Sequence, residues 1–223
     1  MNDGLQNRRP LKVRNQGWAK MFAATLSKSN ITPNQISILS MVFAAMGLGS
    51  GYAAGQTDSL PEKIILVLSL AVFVQLRLVC NLMDGMVAVE GAKKTPAGEI
   101  FNDAPDRIAD VFFLMGAGLI AGTSSPMVHW AWAASAFAIL TAYVRVLGTS
   151  VGLPADFSGP MAKQHRMFLI TAGSLVTGAE LYLHSGTKTL LYTLMIITLG
   201  SAYTSWKRIS RIYSLLMNRG NPE

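Results

Sequence analysis

The sequence predicts an all-α, polytopic membrane protein, with six transmembrane helices preceded by an amphipathic interfacial helix. Three observations carry this expectation. Of 223 residues, 51% are hydrophobic and only 14% charged, and the mean hydropathy is +0.36, values foreign to a water-soluble domain. Apolar runs long enough to cross a bilayer, roughly 20 residues each, recur at about 34–54, 61–83, 100–122, 127–149, 166–184 and 188–206. Finally, the basic residues alternate between connections: Arg8, Arg9, Lys12, Arg14, Lys20 and Lys28 precede the first run, Lys93 and Lys94 follow the second, Lys163 and Arg166 follow the fourth, and Lys207, Arg208, Arg211 and Arg219 follow the sixth. The net charge of +7 therefore reads as a positive-inside bias with both termini cytoplasmic, in a bacterial inner membrane, and not as a nucleic-acid surface.

Taken in order, residues 1–33 form a basic cytoplasmic arm and an interfacial helix in which Trp18, Met21, Phe22 and Leu26 recur at helical spacing. The N-terminus has no apolar stretch with a cleavage site, so no removable signal peptide is expected. Thr32 and Pro33 are start signals for the first span, as N-cap and first helical residue. That span carries Gly47, Gly51 and Gly55 four residues apart, a ridge of small residues that either packs inside one subunit or seams a homodimer. The six spans make one domain over 34–206, and 207–223 is a basic cytoplasmic tail. The lone Cys80 excludes an intrachain disulfide.

The polar groups concentrate where the second and third spans meet water, at Asn81-Leu82-Met83-Asp84-Gly85-Met86-Val87-Ala88 and at Gly98 to Arg107. Asn81 and Asp84 share one helix face, and Asn102 and Asp106 share another. Ionisable groups in such surroundings are costly and usually functional. A ligand set of oxygens without His or Cys suits a hard cation, Mg²⁺ or Mn²⁺. Arg77, on the face of Asn81 and Asp84, needs an anion, and either Asp84 or a substrate phosphate would serve. Gly98 permits close backbone approach. Arg145, Lys163 and Arg166 add cations on the same side, the last two doubling as positive-inside anchors. Glu180 lies isolated in the fifth span, and no Walker motif or nucleophile elbow is present.

At these residues the chain resembles the CDP-alcohol phosphatidyltransferases, whose signature reads D-x-x-D-G-x-x-A-R, then eight or nine residues, then G-x-x-x-D-x-x-x-D. Asp84, Gly85, Ala88, Gly98 and Asp106 match with every gap at the family length, while Asn81 and Asn102 replace Asp and Val89 replaces Arg. The resemblance implies an enzyme of phospholipid biosynthesis that moves a phosphatidyl group from CDP-diacylglycerol to an alcohol and releases CMP. It further implies Asp84, Asp106, Asn81 and Asn102 as ligands of one or two divalent ions, Asp106 as catalytic base, and Gly85, Ala88, Gly98 and Arg77 at the nucleotide. Arg145, Lys163 and Arg166 would meet a phosphate, which tilts the acceptor toward a phosphorylated alcohol. The site then sits at the cytoplasmic interface, where a lipid donor can reach it. Two other readings stay open: a catalytically silent relative acting as regulator or scaffold, motivated by the two Asn, and a small transporter, motivated by the buried Arg77, Asp110 and Glu180.

Overall fold

Thr32 accepts a hydrogen bond from the Gln35 amide while the Gln35 side chain accepts one from the Thr32 amide, and Pro33 follows at the first helical position. This reciprocal cap satisfies two of the amides that every helix start leaves without a partner, and it begins the second of the seven helices among the described residues of the computed structural model. The structure describes residues 16–29, 31–90 and 98–220, and of residues 90, 98, 99, 101, 102, 219 and 220 the backbone alone. Its elements are α1 (Gly17–Lys28), α2 (Pro33–Gln56), α3 (Leu60–Glu90), α4 (Gly98–Leu119), α5 (Pro126–Ser150), α6 (Lys163–Tyr182) and α7 (Lys188–Gly220).

The chain is all-helical among its described residues. Three of its helices, α2, α3 and α5, are long and apolar enough to cross a membrane. The other long helices dilute their apolar stretches with charge: α4 alone carries Glu99, Asp103, Asp106, Arg107 and Asp110. The tail expected to begin at residue 207 is the unbroken continuation of α7, which runs on to Gly220.

Antiparallel connections stack α3 on α2 and α6, α4 on α2 and α5, and α7 on α5 and α6. The core between them is apolar, with Leu70, Phe113, Leu114, Ile120, Ile170 and Leu194 fully buried. The glycine ridge of α2 is spent inside the chain, against α4. A Cβ on Gly51 would stand 2.0 Å from the Gly116 carbonyl oxygen, and one on Gly55 2.1 Å from that of Leu119, so these two backbones touch where only glycine permits it. On α1, Ala19 and Ala23 are buried, in a cluster with Met83 and Val87 of α3, whereas Trp18, Met21 and Phe22 are exposed.

The ends expected from the sequence to be outer are held by side chains that close local turns. Glu180, isolated in the sequence, caps α7: its carboxylate accepts from the Thr189 amide at 3.1 Å and from the Thr189 hydroxyl at 2.7 Å. This replaces an N-cap side chain for a helix that begins after a glycine turn at Gly186 (φ 101°).

Candidate active site

Helices α3, α4 and α6 bring their charged groups to one end of the bundle. Arg77 of α3 is fully buried and reaches across to α4, donating from Nη2 to Asp106 Oδ1 at 2.8 Å and, more weakly, to Asp110 Oδ1 at 3.4 Å. Asn81, one turn further along α3, donates from Nδ2 to the same Asp106 oxygen at 2.6 Å. From the start of α6, Lys163 donates from Nζ to Asp106 Oδ2. Arg166 donates from Nη2 to Asp110 Oδ2 at 2.8 Å, and from Nη1 to the Thr141 hydroxyl and the Met161 carbonyl. Two carboxylates one helical turn apart therefore tie three helices together through three cations.

Of the two anions the sequence suggested for Arg77, Asp84 is not its partner. Arg77 pairs with Asp106 and Asp110 rather than with Asp84, because the i+7 relation on one helix sets Asp84 two turns away, while the neighbouring α4 presents its carboxylates at the level of Arg77 itself. Arg166 likewise departs from expectation. It is buried and committed to Asp110, so it braces α6 against α4 and α5 and is not an anchor at the headgroups. The transporter reading loses its motive here, since Arg77, Asp110 and Glu180 all have structural partners.

Asp84 is held differently. It is 5% exposed; Oδ2 accepts from Ser37 Oγ of α2 at 2.7 Å, and Oδ1 is buried without a partner among the described residues. Burying a carboxylate oxygen unpaired is unfavourable, and an orphan of this kind calls for a ligand or a function. Asp84 lies three residues beyond Asn81 on α3, the residue that donates to Asp106. Ser37 went unnoticed in the sequence, where a serine one turn inside an apolar helix has no signature beyond its place after the Thr32 cap.

Gly85 and Ala88 flank Asp84 on α3, half-buried, and Gly98 opens α4. The side chain of Asn102, and Lys93 and Lys94, lie outside the described residues. Arg145 stands apart from the Asp106 network: its Nη2 donates to Asp103 Oδ1 at 2.7 Å, an oxygen shared with Arg107 at 2.9 Å, and its guanidinium lies over the Phe157 ring at 5.6 Å. Beside it is a cavity of about 120 Å³ walled by Leu153, Pro154, Asp156, Arg211 and Ile212. Burial would raise the Asp156 carboxyl, but hydrogen bonds from Ser158 and the charges of Arg211 and Arg208 together hold it below its usual range.

An implied divalent ion finds a partial fit. The orphaned oxygen of Asp84 suits a hard cation. Asp106 offers less, because both of its oxygens already accept from donors. Among the described residues no three carboxylate, imidazole or thiol groups come together at one point.

No family model matches the chain. It is 22% identical over 192 residues, 86% of this chain and 88% of the other, to the inner membrane protein YnbA of Escherichia coli (strain K12). It is 31% identical over 149 residues to the bifunctional IPC transferase and DIPP synthase of Rubrobacter xylanophilus, matching 66% of this chain and spanning 31% of that longer protein. In three dimensions it is similar to phosphatidylinositol phosphate synthase PgsA1 of Mycobacterium tuberculosis, solved with CDP-DAG bound, at a TM-score of 0.71 and 19% identity over 87% of this chain and 93% of that one. The same synthase in complex with manganese and citrate also gives 0.71 and 19%, over 87% of this chain and 88% of that one. The chain thus has the fold of the CDP-alcohol phosphatidyltransferases, the family that its motif from Asn81 to Asp106 resembles.

Proposed function

We propose that this protein is a membrane transferase that moves a phosphatidyl group from CDP-diacylglycerol to an alcohol, with release of CMP. One observation carries the reading: in a bundle of this fold the motif's Asn81 on α3 donates to Asp106 on α4, and Asp84, one turn beyond Asn81, keeps Oδ1 buried without a partner among the described residues. In the reaction the acceptor oxygen bonds to the lipid-side phosphorus as the bond from that phosphorus to CMP breaks. The hydroxyl proton passes to Asp106.

Each residue then has a task. Asp84, fixed by Ser37, would hold a divalent ion, Mg²⁺ or Mn²⁺, with the carbonyl oxygens of Asn81 and Asn102 as further donors. Such an ion, when bound, neutralises negative charge on the diphosphate. Lys163 is the most exposed of the three cations paired with Asp106 and Asp110, its side chain 23% exposed against 0% for Arg77 and 2% for Arg166. Its flexible stem follows the loop ending at Ala162, and drawing its ammonium from Asp106 onto an incoming phosphate would free Oδ2 to take a proton. Arg77 and Asn81 hold the other oxygen and so orient the carboxylate. Gly85, Ala88 and Gly98 leave room for the nucleotide. Arg145, lined up by Asp103 beside a cavity that also contains Arg211, suits a phosphorylated acceptor.

The six long helices α2 to α7 cross the membrane in this reading, with the Asp84–Asp106 end and both termini cytoplasmic, and α1 lies in the inner headgroup layer on its exposed Trp18, Met21 and Phe22. A lipid donor reaches such a site without leaving the bilayer. A homodimer would need a surface other than the glycine ridge, which α4 already covers.

The test is CMP release from CDP-diacylglycerol by purified protein with Mg²⁺ or Mn²⁺ and a panel of alcohols and alcohol phosphates, EDTA abolishing it. Asp106→Asn is expected to keep the fold and lose CMP release by about 10²–10⁴-fold. Donor binding without CMP from any acceptor would make the protein a silent relative. Unaltered turnover in Asp106→Asn would leave the transferase standing and remove Asp106 as its base.

A further inference from the structure

The sequence surrenders two of the four acidic positions of the motif, at Asn81 and Asn102, and the structure shows which groups then surround Asp106. On Oδ1 of Asp106 sit the Arg77 guanidinium and the Asn81 amide, and on Oδ2 the Lys163 ammonium. Asn81 is turned so that it donates to Asp106, which an aspartate at that position could not do while ionised. Arg77 is 0% exposed and cannot lose its proton, so its charge is a permanent part of the site in a way that a dissociable ion is not.

We propose that Arg77 stands in for one divalent ion, so that this site takes a single ion, on Asp84, where a site with four acidic groups would take two. The inference deepens the transferase reading and rests on it. Charge balance argues for it. Asp84, Asp106 and Asp110 oppose Arg77, Lys163 and Arg166, so the cluster is formally neutral before any ion arrives. One divalent cation is then offset by the two negative charges of a diphosphate diester. A second would face the Arg77 guanidinium across Asp106 with no anion left to offset it, in surroundings where charge is poorly screened. Coordination argues the same way. Of the three carboxylates in this cluster, only Asp84 keeps a buried oxygen with no hydrogen-bond partner among the described residues, and a hard cation is commonly held by one or two carboxylates, with substrate phosphates and water completing its shell. The ion should accordingly bind better with nucleotide present than without.

Counting bound Mn²⁺ by electron paramagnetic resonance, on the full chain in detergent with saturating CDP-diacylglycerol, tests this without reference to turnover. Wild type is expected to hold one ion per chain, and so is Asn81→Asp, because Arg77 still occupies its place. The double variant Asn81→Asp/Arg77→Gln is expected to hold two, with the spin coupling of a close pair. Two ions in wild type, or two in Asn81→Asp with Arg77 intact, overturn the proposal, and so does CMP formation with no ion bound. Should the double variant fail to fold, the first two proteins still decide. CMP release assayed in parallel separates the two readings: turnover with two ions sinks this inference alone, whereas one ion with no CMP from any acceptor sinks the transferase.

Discussion

The two ends of the bundle treat their carboxylates in opposite ways. At the outer end, in the orientation proposed above, Glu180 caps the next helix at Thr189, nine residues on, and Glu62 accepts from Thr57 only five residues away. Each closes a local turn. At the inner end Asp106 and Asp110 are bound across three helices by Arg77, Lys163 and Arg166, and Asp84 keeps an oxygen that nothing in the described chain uses. Local, saturated carboxylates serve the fold. A charged lattice with one opening in it costs stability, because buried pairs rarely recover their desolvation, and such a cost points to chemistry.

The sharpest way to break the comparison is at that opening. Replacing Asp84 by Asn removes the charge on the orphaned oxygen while keeping an acceptor for Ser37. CMP release is expected to fall by at least about 100-fold, while the melting temperature in detergent stays level or rises as a buried unpaired charge is relieved. A variant that unfolds while its surviving fraction turns over normally would place Asp84 with the structural carboxylates instead.

The next effect is on the fold, in the apolar region where α2 and α4 touch. Gly51→Ala puts a methyl group 2.0 Å from the Gly116 carbonyl oxygen, and a backbone atom cannot swing aside as a side chain would. The helices must part, at a cost of about 3 kcal/mol, read as a lower melting temperature. Turnover by the molecules that remain folded should be near normal, since Ser37 and Asp84 lie toward the other end of the same helices. Wild-type melting in Gly51→Ala would show the α2–α4 contact to be looser than described.

How legible these regions were in the sequence follows from how far apart their partners are. The Thr32–Pro33 start needs only adjacent residues and was legible, as was the glycine ridge, although not its partner, because spacing within α2 cannot say which helix lies against it. The spacing of Asn81, Asp84 and Asp106 identified the seam through resemblance to a motif. For Arg77 the intrachain anion suggested by the sequence, Asp84, was the wrong one, for periodicity lists neighbours along one helix and is blind to the level at which the next one passes. Arg166 read as a phosphate ligand or a headgroup anchor because a basic residue near a span end is normally one or the other; the α4 carboxylate at Asp110 makes its burial tolerable. Ser37 left no trace at all, since a buried serine that bonds a carboxylate 47 positions away looks like any serine in an apolar helix.

At the outer end, Glu180→Ala tests the local, structural kind of carboxylate. It removes the only described side-chain cap of the α7 start, and the expected loss is that of an N-cap, about 1 kcal/mol, with CMP release unchanged. A fall in turnover beyond the fall in folded protein would mean that the outer end is coupled to the site, and the contrast between the two ends would fail.

The smallest expected effect lies at Asp156, between the two kinds, since it is ligated locally by Ser158 yet also faces Arg211 at 3.6 Å beside the Arg145 cavity. Its carboxyl is held below the ordinary value of 3.8, although burial acts to raise it, because the Ser158 hydrogen bonds and the arginine charges outweigh that penalty. A depressed folded-state value means that its contribution to stability is present above the unfolded-state value and disappears as pH falls through the folded one. The difference in melting temperature between wild type and Asp156→Asn should therefore be constant from about pH 7 down to about pH 5 and shrink below about pH 4. A difference that survives undiminished at pH 3 would mean that Asn fails to reproduce the shape or hydrogen bonding of Asp156, and that the charge facing Arg211 does not stabilise the fold.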